Sequence, residues 1–181
     1  MSGAVVPLPM SMGVTADSSA RAAQAYRDFA PAVLGYLRAL RVQEPEDVLG
    51  EVFVQVVRDV GRFRGDDAAF RRWVFSIAHN RVMDSHRRNR RRPPPRLEPV
   101  PEAGVLPPDP FDPTLVGALA ALSFDQREVV VLRFVADLSL DAVARITRRR
   151  VGAVKALQHR ALANLERALS TSHQGKALAS D

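Results

Sequence analysis

Nine of the chain's 13 prolines fall in one stretch of 21 residues, PPPRLEPVPEAGVLPPDPFDP at 93–113. Proline has no backbone donor and its φ is locked, so neither a helix nor a sheet interior can run through this segment, and an extended polyproline form is favoured. The stretch reads as a linker. It divides the 181-residue chain into two small units, at 21–92 and 114–172. The tails at 1–20 and 173–181 lack sustained periodicity and are expected to be disordered.

The net charge of +6 is laid out unevenly around that tether. Residues 21–92 hold 15 basic and 9 acidic side chains, the linker one basic and four acidic, and 114–172 nine basic and five acidic. Two basic units on an acidic tether point to a polyanion that the units meet and the tether avoids. Arginine supplies 24 of the 26 positive charges, which suits bidentate contacts to phosphates and base edges; a GC-rich codon bias would produce the same excess. With no cysteine, disulfides, thiolate zinc sites and cysteine nucleophiles are excluded. No apolar run approaches the roughly 20 residues of a membrane helix, and no charged leader precedes the weak apolar start, so a cytoplasmic location without membrane insertion is expected.

In the first unit Tyr26, Phe29, Val33, Leu37 and Leu40 recur at steps of three and four, the stripe of an amphipathic helix. A second helix opens at Glu44-Pro45-Glu46-Asp47, where proline suits the first turn and acids the positive helix end. It runs through Val48, Val52, Phe53, Val56 and Val60 to Gly61. After the loop 61–66, Asp67 can cap a third helix whose apolar face is Phe70, Val74, Ile77, Ala78 and Val82. Trp73, Asn80, Asp84, Arg87 and Arg91 fall on a stripe of that helix. An aromatic leading through an amide into arginines suits stacking at one end and phosphate neutralisation at the other. The plainer alternative is a core tryptophan followed by a solvated basic helix end.

The second unit reads as four helices: one with Leu115, Leu119 and Leu122, then 125–135, 140–146 and 151–169, with breaks at Ser123, 136–139 and 148–150. A short helix, a tight turn and a longer basic helix make a helix-turn-helix, whose second helix enters the major groove. Val151, Val154, Leu157, Ala161 and Leu165 should pack inward. That leaves Arg149, Arg150, Ala153, Lys155, Ala156, His159 and Arg160 free to face DNA. An ordinary helical bundle with a basic surface is the alternative. The fold class is all-α, two small helical domains with the second a helix-turn-helix.

Taken together, these segments resemble the extracytoplasmic-function class of bacterial RNA polymerase sigma factors. Glu46-Asp47-Val48-Leu49-Gly50-Glu51-Val52-Phe53 is similar to the polymerase-binding helix of region 2, and Arg62-Phe63-Arg64-Gly65 to the loop that captures an unpaired promoter base. Phe70-Arg71-Arg72-Trp73-Val74-Phe75-Ser76-Ile77-Ala78-His79-Asn80-Arg81, with Asp84 and Arg87, resembles the −10 recognition helix. Leu122 to Phe134 resembles the entry to region 4, and Val151-Gly152-Ala153-Val154-Lys155 through Gln158-His159-Arg160-Ala161 its −35 reader. Two departures stand out. Gly50 replaces the usual Gln, at a cost of about 1 kcal/mol in helix propensity. Arg148-Arg149-Arg150 replaces a turn of Gly, an apolar residue and a Ser or Thr cap, and losing the cap costs about 0.5–2 kcal/mol.

The resemblance implies a non-catalytic initiation subunit, needing no cofactor or metal, with promoter DNA and core polymerase as partners. Asp47, Glu51 and Phe53 with its exposed neighbours would dock on the clamp of the large subunit, and the second unit would meet the flap region. Phe63, Arg64 and Asp66 would hold a flipped −10 base, while Trp73, Asn80, Asp84, Arg87 and Arg88 contact adjoining bases and phosphates. Arg149, Arg150, Ala153, Lys155, Ala156, His159 and Arg160 would read the −35 duplex. The acidic linker would run toward the RNA exit path, and an anti-sigma protein would regulate the chain. The alternatives are a helix-turn-helix regulator that does not bind polymerase, an RNA-binding protein using 87–92, and a metal-dependent nuclease using His79, Asp84 and His86. The last is disfavoured because His79 and Asp84 point about 140° apart on a helix.

Overall fold

The computed structural model describes residues 16–91 and 113–178, with side chains from 17 to 88 and 114 to 170. The expectations for the linker at 93–112 and for the tails at 1–15 and 179–181 lie outside the described residues. Every regular element described is helical: α1 (Ala16–Ala39), α2 (Pro45–Asp59), a 3₁₀ turn (Val60–Arg62), α3 (Asp67–Arg91), α4 (Pro113–Ala120), α5 (Phe124–Phe134), α6 (Leu140–Thr147) and α7 (Val151–Leu178).

Helix boundaries differ from the sequence expectation at both ends. α1 starts at Ala16, so 16–20 is helix and not tail; its first buried positions are Ala22 and Ala25, strong helix formers that a search for bulky apolar residues passes over. Tyr26, expected to pack inward, is 51% exposed and rests its ring edge on Phe53. At the other end the α7 backbone continues to Leu178, because an established helix gains a hydrogen bond for each residue added. Pro113, the last residue of the expected linker, opens α4, where a missing N–H costs nothing.

Capping sets the remaining boundaries. Ser123 and Gln126 form a reciprocal capping box at the start of α5, and the Ser139 hydroxyl accepts the Ala142 N–H at the start of α6. Asp66, not Asp67, caps α3: its Oδ1 accepts the Ala69 N–H at 2.7 Å. α1 and α6 end alike. Arg41 (φ 56°) and Arg148 (φ 54°) adopt the left-handed conformation, and the next N–H reaches back to the Leu37 and Ala144 carbonyls respectively. This is the helix stop that glycine favours, so Arg148 stands at the glycine position of the turn and carries Cβ strain there. Arg148→Gly is expected to raise unfolding stability by up to about 1 kcal/mol, read by urea denaturation; a destabilised variant would contradict this account.

α1, α2 and α3 pack through Val33, Leu37, Val52, Val56, Val74 and Val82, each at most 1% exposed. α5, α6 and α7 enclose Val129, Leu132, Val143 and Val154, and a second cluster of Leu119, Leu122, Val130, Ala161 and Leu165 joins α4 to α7. The tether led us to expect separate units. Instead their cores are continuous, because α5 and α6 lie against α1 and α3. Arg127 stitches this junction. Its guanidinium donates to the carbonyls of Leu119, Ala120 and Leu122 at 2.7–3.0 Å and reaches that of Ala39 at 3.5 Å.

Candidate nucleic-acid interface

α2 presents one exposed stripe made of Asp47, Gly50, Glu51, Val54, Val57 and Arg58, spaced by three and four as a helix face requires. Asp47 and Glu51 therefore share a face open to a partner. Phe53 does not: it is 6% exposed, packed in the core beneath Tyr26. Its assignment to a docking surface is corrected, since α1 covers that side of α2. The apolar members of the face are Val54 and Val57, 52% and 40% exposed, and their spacing from Asp47 and Glu51 was the signal in the sequence that marks them. A Cβ at Gly50 would meet nothing within 4 Å. Gly50→Gln should accordingly stabilise the fold by about 0.5–1 kcal/mol, measurable as a rise in Tm; no rise would mean the helix is not limited by its own propensity here.

The loop before α3 is built around an aromatic cluster. Phe63 meets Phe70 edge-on at 5.0 Å and Trp73 at 5.2 Å, and the Arg21 guanidinium lies 5.4 Å and 5.0 Å from the Phe63 and Phe70 rings. Gly65, at φ 150°, lets the backbone pass against the cluster; a Cβ there would sit 3.0 Å from the Ala69 Cβ and 3.1 Å from the Phe63 ring. Arg64 folds back and donates to the Gly61 and Phe63 carbonyls. One oxygen of Asp66 is engaged as the α3 cap. Phe63, Arg64 and Asp66 thus come together as a braced loop, with Arg64 holding its shape and Phe63 half-buried. Arg21 was missed because it falls in no motif and lies more than 40 residues from the rings it covers.

Along α3, Trp73 is half-buried against Phe63 and Phe70, so its ring belongs to the cluster and projects less than the stripe suggested. Asn80, Asp84, Arg87 and Arg88 are exposed, with Arg87 3.4 Å from Asp84. His79 turns inward, its Nδ1 2.8 Å from the Glu128 carboxylate, and His86 packs on Phe124. Neither is arranged with Asp84 around a common point. Among the described residues no three His, Asp or Glu side chains could hold a metal ion together.

On α7, Ala153, Lys155, Ala156, His159 and Arg160 form one exposed face, while Val154, Leu157, Ala161 and Leu165 are buried and Val151 is half-buried. Arg150 is exposed at the helix entrance. Arg149 is pinned by Asp125 at 2.8 Å, which orients the turn and partly neutralises the three adjacent arginines. Burial, and then the neighbouring Arg41 charge, lower the Arg127 pKa from its usual value. The Tyr36 phenol is pushed well above its usual range by burial first and by the Glu128 charge second. No described helix is long and apolar enough to cross a membrane.

Residues 25–92 match the family model of sigma-70 region 2, and residues 114–165 that of sigma-70 region 4. The chain is 33% identical over 133 residues to the ECF RNA polymerase sigma factor BldN of Streptomyces coelicolor, covering 68% of this chain and half of BldN's length. It is 32% identical to the ECF sigma factor ShbA of Streptomyces griseus (66% of this chain, 69% of ShbA) and 30% identical to SigD of Mycobacterium tuberculosis (75% and 71%). Its fold is similar to that of the sigma factor RpoE from Bartonella quintana, solved with the anti-sigma factor NepR (TM-score 0.66, 21% identity, 82% of this chain and 96% of that one). It is also similar to CnrH solved with the cytosolic domain of CnrY (TM-score 0.59, 22% identity, 84% and 90%). With both regional models matched in order, and over two thirds of ShbA and SigD covered at 30% identity or more, the chain belongs to the ECF family of RNA polymerase sigma factors.

Proposed function

We propose that this chain binds core RNA polymerase through the exposed α2 stripe and directs it to promoters with −10 and −35 elements, reading the first with the Phe63 loop and α3 and the second with α7. The observation that carries this reading is the pair of exposed faces in family order: Asn80, Asp84, Arg87 and Arg88 leading away from the aromatic cluster, and Ala153, Lys155, Ala156, His159 and Arg160 on the helix-turn-helix. An unpaired base offers a π-face and free edges, so binding it at the Phe63 loop favours the melted state and helps to open the duplex. Bond-forming chemistry stays with the polymerase, and the chain works in the cytoplasm at the nucleoid. Two solved proteins of similar fold are held by anti-sigma factors, and a protein of that class is its regulator on this reading. The domains are 21–92 and 114–172, extended by the helical residues already described.

Run-off transcription with purified core polymerase on a genomic library tests the reading: discrete transcripts that depend on the chain are expected, and none would overturn it. On a promoter so identified, Arg160→Ala should weaken all −35 variants about equally, as a phosphate contact does. Lys155→Ala should act unequally among them, because a base-edge contact is worth about 1–3 kcal/mol of discrimination. Equal losses for both would contradict the division of α7 into phosphate and base contacts.

A further inference from the structure

The junction between the two units contains a buried polar seam that no promoter or polymerase contact uses. Glu128 of α5, 2% exposed, receives the Tyr36 hydroxyl of α1 at 3.3 Å on the same Oε1 that lies 2.8 Å from Nδ1 of His79 on α3. Arg71 of α3 donates to the Ala136 carbonyl after α5 at 3.2 Å, and Arg127 reaches back to Ala39. Beside the seam, a cavity of about 500 Å³ is lined from one unit by Asn80, Asp84 and Arg87 and from the other by Asp125, Arg148 and Arg149. Both reader regions thus line one cavity.

DNA cannot be read in that arrangement. Elements centred at −35 and −10 lie about 25 base pairs apart, about 85 Å of duplex at the rise of roughly 3.4 Å per pair. Residues that line one small cavity do not span that length. A polyproline tether of 21 residues extends to about 65 Å, which together with the breadth of the two units allows the separation. We infer that α5 is a docking surface for the α1 and α3 face of the same chain, that Tyr36, Glu128 and His79 latch it there, and that this closed form must open before both promoter elements can be engaged. The inference rests on the sigma-factor reading for its consequence. The chemistry of the seam suits a contact that opens: buried polar groups add little net stability over an apolar seam, and once parted Glu128, His79 and Tyr36 are hydrated by water. Breaking the set from one side leaves the others buried and unpaired.

The chain's lack of cysteine makes the test direct. Spin labels at Ala23→Cys on α1 and Ala163→Cys on α7, both exposed and outside the proposed contacts, report the separation of the units in the full chain. The free chain should give one short distance that lengthens when core polymerase is added. Glu128→Ala should populate the long distance in the free chain and speed association with core polymerase by about tenfold, the factor expected when a state populated at one tenth becomes dominant. The apolar replacement Tyr36→Phe, His79→Leu, Glu128→Leu should act oppositely, holding the short distance and slowing association. A long distance in the free chain, an unchanged short distance in a verified polymerase complex, or changes of the same sign in both variants would overturn the latch. A free chain that is short and never binds core polymerase would overturn the sigma reading and the latch's role in it, while the closed contact would still be seen.

Discussion

Replacing Asp47 and Glu51 together by arginine is expected to reduce binding to core RNA polymerase by at least about tenfold, or ~1.4 kcal/mol, while leaving the helical content unchanged. Both carboxylates are exposed on one face of α2, and the packing of α2 runs through Val48, Val52, Phe53 and Val56 on the other side. Reversing their charge costs little in the fold, with only the loose Glu51–Arg81 pair at 3.6 Å lost, and exposed pairs of this kind are worth about 0–1 kcal/mol. A partner surface selected for acids would instead meet like charge, which is strongly repulsive across a docked interface. Gel filtration with core polymerase, beside a circular dichroism spectrum, separates the effects. Undiminished binding would show that the α2 stripe is not the docking face and would return the helix-turn-helix regulator to consideration.

The largest loss of stability is expected from Arg127→Ala, about 3 kcal/mol or more. Three of its four contacts go to carbonyls at the end of α4 and the turn after it, groups that a helix C-terminus leaves without partners. A hydrogen bond to a charged donor contributes about 1.5–3 kcal/mol. Truncation orphans several acceptors at once in a site that the native side chain keeps buried. The fourth contact, to Ala39 at 3.5 Å, adds a link to α1, so the variant should also loosen the junction between the units. Thermal or urea unfolding reads the loss; a change below about 1 kcal/mol would mean that water replaces the guanidinium at those carbonyls.

The features legible in advance were those written in the helical period. On α7 the alternation of Val154, Leu157, Ala161 and Leu165 with Ala153, Lys155, Ala156, His159 and Arg160 placed each residue on its observed side, because a helix that packs on one face repeats that face every three to four residues. The same logic located α3's apolar face and the entrance of α2. It failed at Phe53, one residue and about 100° from Val54. Both are apolar, and only the position of α1 decides which is covered. It failed again at the start of α1, where alanines carry the packing without a bulky signature.

The proline-rich stretch, the two basic units and the order of their motifs follow from residue chemistry alone, since missing donors, charge and helical period are local properties of a chain. The αL stop at Arg148 could be located from the family's glycine but not from the arginine itself, which adopts that conformation because the Arg149 N–H is drawn back to Ala144. What only the tertiary structure decided is non-local. Arg21 over Phe63, Arg127 on Ala39, and Glu128 between Tyr36 and His79 join residues 42, 88, 92 and 49 positions apart in the chain. No periodicity links such pairs, and it is the burial of each group, forcing it to find a partner, that brings them together.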